Sequence, residues 1–316
     1  MYCIGIDGGG SKTLAYLGDM QGRIIDKKIF GPSNYQIIGE KDALSVFSEI
    51  IESFTNKNIN LNALKFISAG IAGLDRKKDR IILKSIFNSM DLSCDIILQN
   101  DSYTSLAGGL NNQDGMIISS GTGSVAVGRK GSKYHRTGGW THVLGDEGSG
   151  YSIGINALKS IMKVYDGRFE KTNLYYEVLK KIKVEDPRDT ITYAYKNVHN
   201  TREISSLALL VFNHLEKKDS LAFRLVNQAV DDLYNLVCPL IDKLYSKEEN
   251  ILFTYSGSII LENDYLKNNL IKKLQEKYPN ITPVDPIYNS AVGALIIGWS
   301  KYNIDFKENL INSYKA

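Results

Sequence analysis

A glycine-rich turn that follows a short apolar segment occurs twice in this chain, and this duplication constrains the fold more than any other feature. The first copy spans residues 4–13 and contains Asp7-Gly8-Gly9-Gly10-Ser11. The second copy spans residues 116–124 and contains Ser120-Gly121-Thr122-Gly123-Ser124. A strand-like segment follows each turn, and hydroxyl side chains stand at matching places in the two copies. The duplication therefore predicts two related half-molecules.

The two turns have the composition of phosphate-binding loops. Glycine lets the backbone approach a ligand closely, so successive N–H groups can converge on phosphate oxygens with help from Ser and Thr hydroxyls. A P-loop requires a Gly-Lys pair, whereas Lys12 follows Ser11, and a dinucleotide motif requires a helix where Val125 to Arg129 reads as a strand. Either turn alone is also consistent with an ordinary β-hairpin. Together they predict one anion bound by both halves, and a nucleoside triphosphate is the natural candidate.

The order of apolar segments predicts an α/β fold. Residues 2–110 read as three strands followed by alternating helices and strands, in the order β-β-β-α-β-α-β-α. After a polar break at residues 111–114 the three-strand opening recurs, several helices follow, and βα order resumes near residue 250. This pattern predicts two domains, residues 1–113 and 114–316, each with a mixed sheet flanked by helices. We expect the last helices to pack back at the hinge and the ligand to lie in the interdomain cleft.

Composition argues against several classes of function. The net charge is +3 over 316 residues and the charges are mixed along the chain, so we expect no nucleic-acid partner and no membrane partner. No apolar run approaches ~18 residues and the chain opens with a strand instead of a signal segment, which predicts a cytoplasmic protein. Cys3, Cys94 and Cys238 are scattered in apolar surroundings and read as buried thiols without metal-binding spacing.

Several short segments carry a resemblance to a known superfamily. In order along nearly the whole chain they are Asp7 to Thr13, Gln99 to Asp101, Ser119 to Ser124, Tyr255 to Ser258 and Asn289 to Ala294. This set resembles the five nucleotide-site segments of the actin, Hsp70 and sugar-kinase superfamily. The run from Gly138 to Ser149 resembles the signature of the N-acetylglucosamine kinases of the BadF/BadG/BcrA/BcrD group. Residues 31–34 resemble the sugar-contacting loop of those kinases, including the bacterial N-acetylmuramic acid/N-acetylglucosamine kinases.

The resemblance implies two ribonuclease H-like domains of the actin-like ATPase type, and it implies a catalytic role for Asp101. In similar kinases the matching aspartate receives the proton of the sugar hydroxyl that attacks the γ-phosphate. Asp101 stands where a strand ends and a helix begins, which places its carboxylate at the carboxyl edge of the sheet. The alternative is that Asp101 merely caps the following helix, a position that Asp favours.

The nucleotide site implied by the resemblance includes a cation and residues from both halves. Asp7 would hold Mg²⁺ through water, because Mg²⁺ keeps several waters and takes few carboxylates; a turn-forming Asp is its alternative. The alternative for Lys12 is a solvent-facing strand residue. The alternative for Ala291 is a residue of a helix packed closely on a sheet. The predicted ATP-binding residues are Gly9, Gly10, Ser11, Lys12, Thr13, Gly121, Thr122, Gly123, Gly257, Ser258, Ser290 and Ala291.

The resemblance also implies a sugar site. A hexose offers hydroxyls around an apolar ring face, so its recognition suits carboxylates, amides and close backbone approach at glycine. The predicted sugar-binding residues are Asn34, Asp101, Gly139, Trp140, Asp146 and Glu147. The alternative for the run from Gly138 to Ser149 is a loop closed by a buried Trp with exposed acids.

The function implied is an ATP-dependent and Mg²⁺-dependent sugar kinase. It would transfer the γ-phosphate to a hydroxyl, with the 6-hydroxyl expected, of N-acetylglucosamine or N-acetylmuramic acid or both, and a homodimer is the expected assembly. The alternative is an ATPase that activates a partner redox enzyme of the 2-hydroxyacyl-CoA dehydratase or benzoyl-CoA reductase type. Such activators hold an iron-sulfur cluster with interface cysteines, and the three cysteines here do not stand at the matching places.

Overall fold

The structure is a computed structural model that describes residues 1–55, 60–246 and 248–314. The chain folds as two units: unit 1 comprises residues 1–114 together with 284–316, and unit 2 comprises residues 115–283. Unit 1 is therefore discontinuous in sequence. The carboxyl-terminal segment, which the sequence pattern assigned to the second domain, groups with the first.

The strands in chain order are β1 Tyr2–Gly8, β2 Thr13–Asp19, β3 Ile24–Phe30, β4 Leu64–Ile71, β5 Asp95–Asn100, β6 Gly115–Ser120, β7 Ser124–Lys130, β8 Lys133–Gly138, β9 Ile251–Ser256 and β10 Ile281–Pro283. The helices are α1 Tyr35–Ile38, α2 Glu40–Thr55, α3 Lys77–Asn88, α4 Asp101–Gly109, α5 Thr141–Leu144, α6 Gly150–Tyr165, α7 Asn173–Ile182, α8 Thr190–Asn197, α9 Thr201–Glu216, α10 Ser220–Leu244, α11 Ser258–Leu261, α12 Asp264–Lys277, α13 Ser290–Lys301 and α14 Lys307–Tyr314. Short 3-10 turns lie at Leu61–Ala63 and Pro187–Asp189.

Unit 1 is built on a five-stranded mixed sheet in the order β3-β2-β1-β4-β5. The strands β1, β2 and β3 pair antiparallel, whereas β1, β4 and β5 pair parallel. Successive side chains of a strand point to opposite faces, so Ile4 joins the core formed with α2 and α3 while Cys3 joins the core formed with α13. Helices therefore cover both faces of this sheet.

Unit 2 repeats this arrangement. Its sheet has the order β10-β9-β6-β7-β8, with β6, β7 and β8 antiparallel and β6, β9 and β10 parallel. Its core brings strand residues such as Ile118 together with Leu207 of α9, Val226 of α10 and Leu270 of α12. The two sheets confirm the predicted α/β fold class. Within the described ranges, no helix has the length and apolar character needed to cross a bilayer.

Candidate active site

Asp7 and Asp101 lie at the same edge of the unit 1 sheet. Asp7 is opposite Gly70 of β4, and Gly70 is opposite Gln99 of β5. Asp101 follows β5 directly as the first residue of α4. Because β1, β4 and β5 are parallel, their carboxyl ends meet at one edge, and both carboxylates are brought there.

The helix that begins at Asp101 is capped by its neighbour. Asn100 Oδ1 accepts a hydrogen bond from the Ser102 backbone N–H at 3.0 Å, while Asn100 Nδ2 donates to Asp75 Oδ1 at 3.1 Å. Asp101 Oδ1 also accepts from the Ser102 N–H, at 2.9 Å. Since Asn100 occupies the capping position, helix capping alone does not explain an aspartate at position 101. The sequence analysis did not assign a role to Asn100, although it stands within the Gln99 to Asp101 segment.

The environment of the two aspartates makes both carboxylates harder to ionise. Burial and, as a smaller cause, the negative charge of Asp7 raise the pKa of Asp101 from its ordinary value of 3.8 to about 7, while the Ser102 N–H opposes the shift. Burial likewise raises the pKa of Asp7 to about 6, against the opposing effects of the Ser290 hydroxyl and the Lys12 charge. A carboxylate with a pKa near 7 is suited to accept a proton at neutral pH.

Ser290 lies beside these aspartates. Its hydroxyl is 2.7 Å from Thr104 Oγ1 of α4 and donates to the Asp101 carbonyl oxygen at 3.4 Å. Ser290 was predicted to bind ATP, and its hydroxyl lies at the edge of the unit 1 sheet that carries Asp101. Ala291 is fully buried, which supports the alternative that this part of α13 is a closely packed helix.

The first glycine loop is bonded to the segment that contains Asn34. The Gly9 carbonyl oxygen accepts hydrogen bonds from the Ser33 N–H at 3.1 Å and the Asn34 N–H at 3.3 Å, and the Gly9 N–H donates to Lys12 at 3.1 Å. Asn34 Oδ1 caps α1 by accepting from the Gln36 N–H at 3.0 Å. Two backbone hydrogen bonds therefore join the first glycine loop to the segment that contains Asn34.

Thr13 has a different environment from the rest of its loop. Ser11 and Lys12 are exposed, whereas Thr13 is fully buried. Its hydroxyl lies 2.7 Å from the Gly31 carbonyl oxygen and 2.8 Å from Ser33 Oγ. Thr13 therefore links residues 31–33 to the start of β2 through its hydroxyl.

The second glycine loop packs within unit 2 against the start of α6. The Gly121 N–H donates to Gly123, and the Gly121 carbonyl oxygen accepts from the Gly150 N–H at 2.8 Å. Gly257 is at φ +90°, and a Cβ there would lie 2.4 Å from the Ser120 carbonyl oxygen. The structure thus brings Gly257, and Ser258 after it, next to the loop that contains Thr122.

The run from Gly138 to Ser149 has an unusual backbone. Positive φ angles occur at Gly138, Gly139, Thr141, Asp146 and Gly148. A non-glycine residue at positive φ is uncommon, and such strain is often associated with functional loops. Hydrogen bonds also connect this run to the second glycine loop.

Trp140 is exposed, contrary to the alternative in which the run from Gly138 to Ser149 is a loop closed by a buried Trp. Trp140 is 55% exposed, and the Arg136 guanidinium lies 4.3 Å from its ring centroid. Asp146 Oδ1 accepts from the Ser124 N–H at 3.2 Å, and burial raises the pKa of Asp146. Glu147 is exposed. An exposed indole face and a partly buried carboxyl group in one loop are consistent with sugar recognition.

His142 adds a feature that sequence reasoning left open. Its ring packs against Tyr151 at 4.9 Å and His199 at 5.8 Å between centroids. Its positive form would lower the pKa of Asp146, which links it electrostatically to that carboxyl group. His199 stands far away in the sequence, and no signal in the chain predicted this pair.

The environment of the three cysteines does not favour an iron-sulfur cluster. Cys3 is fully buried in β1, Cys238 is buried in α10 and Cys94 is partly buried. Burial raises the pKa of the Cys3 and Cys94 thiols, which disfavours the thiolate needed for an iron-sulfur cluster. Within residues 1–55, 60–246 and 248–314, no cluster of three or more His, Cys, Asp or Glu side chains is arranged to hold a metal ion.

The chain matches known proteins over most of its length. The pattern of the BadF/BadG/BcrA/BcrD ATPase family matches residues 4–298. The N-acetylmuramic acid/N-acetylglucosamine kinase of Clostridium acetobutylicum is 35% identical over 302 residues, which cover 95% of this chain and 99% of that relative. The N-acetyl-D-glucosamine kinase of Dictyostelium discoideum is 31% identical over 308 residues, which cover 93% of this chain and 96% of that relative.

Solved structures share the fold. A structure from Chromobacterium violaceum has a TM-score of 0.76 at 24% identity and covers 94% of this chain and 98% of its own. A ROK family glucokinase from Streptomyces griseus, solved with glucose and AMPPNP, has a TM-score of 0.56 at 13% identity and covers 96% and 99%. From the match over residues 4–298 and identities above 30% to two relatives, we conclude that this chain belongs to the BadF/BadG/BcrA/BcrD ATPase family.

Proposed function

We propose that this protein is an ATP-dependent kinase of N-acetylated amino sugars, with N-acetylglucosamine, N-acetylmuramic acid or both as acceptors. The observation that carries the proposal is the position of Asp101 at the carboxyl edge of the unit 1 sheet, beside Asp7, with a pKa of about 7. The two relatives above 30% identity are kinases of these sugars. Their names and the site residues of this chain support the same reaction.

Asp101 is the proposed general base. Its carboxylate takes the proton from a sugar hydroxyl, with O6 as the proposed position, while that oxygen forms a bond to the γ-phosphorus of ATP. The bond from this phosphorus to the β–γ bridging oxygen breaks, and ADP leaves. Phosphoryl transfer depends mainly on positioning and on neutralising phosphate charge.

The acidic edge of unit 1 fits a magnesium ion. Asp7 is a partly buried carboxylate whose ionisation is disfavoured by burial, and its negative charge raises the pKa of Asp101 nearby. A divalent cation would relieve that repulsion. Mg²⁺ takes one or two carboxylates and keeps several waters, so Asp7 is the proposed ligand through water. When bound, the ion neutralises charge on the ATP phosphates.

The remaining site residues keep the proposed roles that their positions support. We propose ATP contacts for Gly9, Gly10, Ser11 and Lys12 in unit 1 and for the second glycine loop with Gly257 and Ser258 in unit 2. Asn34, Gly139, Trp140, Asp146 and Glu147 are the proposed sugar contacts. We also propose a cytoplasmic homodimer, which size-exclusion chromatography with light scattering can test for assembly.

The deciding experiment measures ADP release from Mg-ATP as single sugars are added to the purified protein. N-acetylglucosamine or N-acetylmuramic acid should stimulate the release, and Asp101→Asn should lower the stimulated rate by roughly 100-fold to 10,000-fold, the usual cost of losing a general base. Asp91→Asn, which neutralises an exposed carboxylate in the loop before β5, is the control and should behave as wild type. Hydrolysis that is independent of sugar, or a small loss in Asp101→Asn, would overturn the assignment.

A further inference from the structure

A fully buried carboxylate outside the proposed site is hydrogen-bonded to α1, the short helix that follows Asn34. Asp79, in the first turn of α3, has 0% exposure. It accepts hydrogen bonds from the Tyr35 hydroxyl at 2.6 Å and from the Arg76 N–H at 2.8 Å, and the Arg76 guanidinium also donates to it. The Arg76 guanidinium is the largest reason that the pKa of Asp79 lies well below its ordinary value. Asp79 is therefore a buried anion with several donors.

The donors of Asp79 include the residues that immediately follow Asn34. Tyr35 and Gln36 form the start of α1, and Gln36 Nε2 lies 3.3 Å from Asp79 Oδ1. Gln36 Nε2 also donates to the Gly73 carbonyl oxygen at 3.0 Å. A helix as short as α1 cannot hold its own conformation in water, so these external bonds determine where it lies.

The other end of the segment is bonded to the first glycine loop. As described above, the Ser33 and Asn34 N–H groups donate to the Gly9 carbonyl oxygen. Asn34 therefore lies between two attachments, Gly9 on one side and Asp79 through Tyr35 on the other. Its side-chain oxygen is already used as the cap of α1, which fixes the direction of the amide group.

We propose that the Tyr35–Asp79 hydrogen bond positions Asn34 for the acceptor sugar. Tyr35 and Asp79 are positioning residues in this proposal. Neither contacts the reacting atoms, and both act through the backbone next to Asn34. This inference rests on the proposed kinase function. It differs from a purely structural role of Asp79, in which the carboxylate only closes the capping box of α3 with Arg76.

The test compares Tyr35→Phe with a matched control. Tyr35→Phe removes one hydroxyl and leaves the ring packing and the Arg76–Asp79 bonds in place. The KM for the sugar should rise about 3-fold to 10-fold, the range expected for one lost hydrogen bond, while kcat and the KM for ATP change less than about 2-fold. Tyr278→Phe is the control, because the Tyr278 hydroxyl also donates to a carboxylate, Asp242 Oδ1 at 2.8 Å, inside unit 2. It should leave the sugar KM unchanged.

A second variant separates positioning from helix capping. Arg76→Gln removes the guanidinium, whose side chain is 70% exposed, and leaves the Tyr35–Asp79 bond. It should lower the melting temperature while the sugar KM stays near that of wild type. The inference is overturned if Tyr35→Phe leaves the sugar KM unchanged, or if Arg76→Gln raises it as much as Tyr35→Phe does. Failure of the kinase proposal is distinct, since it shows as a wild-type protein whose ADP release does not respond to sugar.

Discussion

At the scale of single residues, the burial of Asp101, the proposed proton acceptor, lowers the stability of the folded protein at neutral pH. Its pKa in the folded chain, about 7, lies above its ordinary value of 3.8, so the folded state binds the proton more tightly than the unfolded state. The resulting stabilisation is fully present below about pH 4 and is lost as pH rises through about 7. At neutral and alkaline pH the ionised carboxylate therefore opposes folding.

Replacing this carboxylate should increase stability where it would be ionised. Asp101→Asn cannot ionise, so its free energy of unfolding at pH 8 should exceed that of wild type by on the order of 4 kcal/mol, the cost of a pKa raised from 3.8 to about 7. The difference should be much smaller at pH 5. Urea unfolding at the two pH values, in EDTA and without nucleotide, measures both quantities. Equal stabilisation at pH 5 and pH 8 would contradict a pKa of about 7 for Asp101 in the folded protein.

The positions of site residues were predictable from sequence where a motif fixes a place in a strand or at its end. Asp101 at a strand end and Asp7 in the first strand are such cases. The environment of Ser290 was not predictable, because the spacing of α13 from the rest of unit 1 does not reveal which edge of the sheet it reaches. The burial of Thr13 was likewise hidden, since alternation in a strand does not show that a hydroxyl finds partners in a segment nearly twenty residues away.

At the scale of elements, most strands and long helices follow from the apolar pattern, and the short helices do not. The βα order expected to resume near residue 250 appears as β9 and α12, and the three-strand openings of both units appear where the alternation indicated. The apolar pattern gave no indication of α1, α5, α11 or α14. Helices of one or two turns depend on caps and tertiary contacts, as the bonds of α1 to Asp79 and Gly73 show.

The packing of α13 on α4 depends on glycine. A Cβ at Gly293 would lie 1.9 Å from the Thr104 carbonyl oxygen, and one at Gly108 would lie 2.4 Å from the Asn289 carbonyl oxygen. The two helix backbones are therefore in direct contact. This close approach places Ser290 beside Asp101.

Enlarging this contact should destabilise unit 1. Gly293→Ala would gain helix propensity, about 1 kcal/mol, but the clash is with backbone that cannot move aside, so we expect a net loss of about 1–3 kcal/mol. Denaturant unfolding measures the loss. Gly31→Ala is the control, because a Cβ there meets nothing within 4 Å. A Gly293→Ala protein as stable as wild type would show that α13 and α4 can separate without cost.

At the scale of the whole molecule, the two units repeat one sheet topology but differ in continuity. The order β3-β2-β1-β4-β5 in unit 1 corresponds to β8-β7-β6-β9-β10 in unit 2. Unit 2 is formed by one continuous stretch, whereas unit 1 needs residues 284–316 to cover a sheet made at the start of the chain. Trp299 of α13 is fully buried there, and its indole N–H donates to the Asp19 carbonyl oxygen at 2.8 Å.

A chain that ends at residue 283 should therefore lose order in one unit only. Without α13, the sheet face that carries Cys3 and Phe66 loses its cover. Hydrogen exchange should show weaker protection of amides in β1 and β4 and retained protection in β6 and β7. Full protection of β1 and β4 in the shortened chain would contradict this dependence.

The discontinuity of unit 1 also bears on the order in which a nascent chain can fold. Domains generally fold as units from the amino terminus during synthesis. Here the first 114 residues emerge early, yet one apolar face of their sheet stays uncovered until α13 leaves the ribosome, whereas the stretch from 115 to 283 can close its core before that. During translation, unit 2 can thus complete its core before unit 1. Until α13 has been synthesised, the uncovered sheet of unit 1 is the part accessible to chaperones and prone to aggregation.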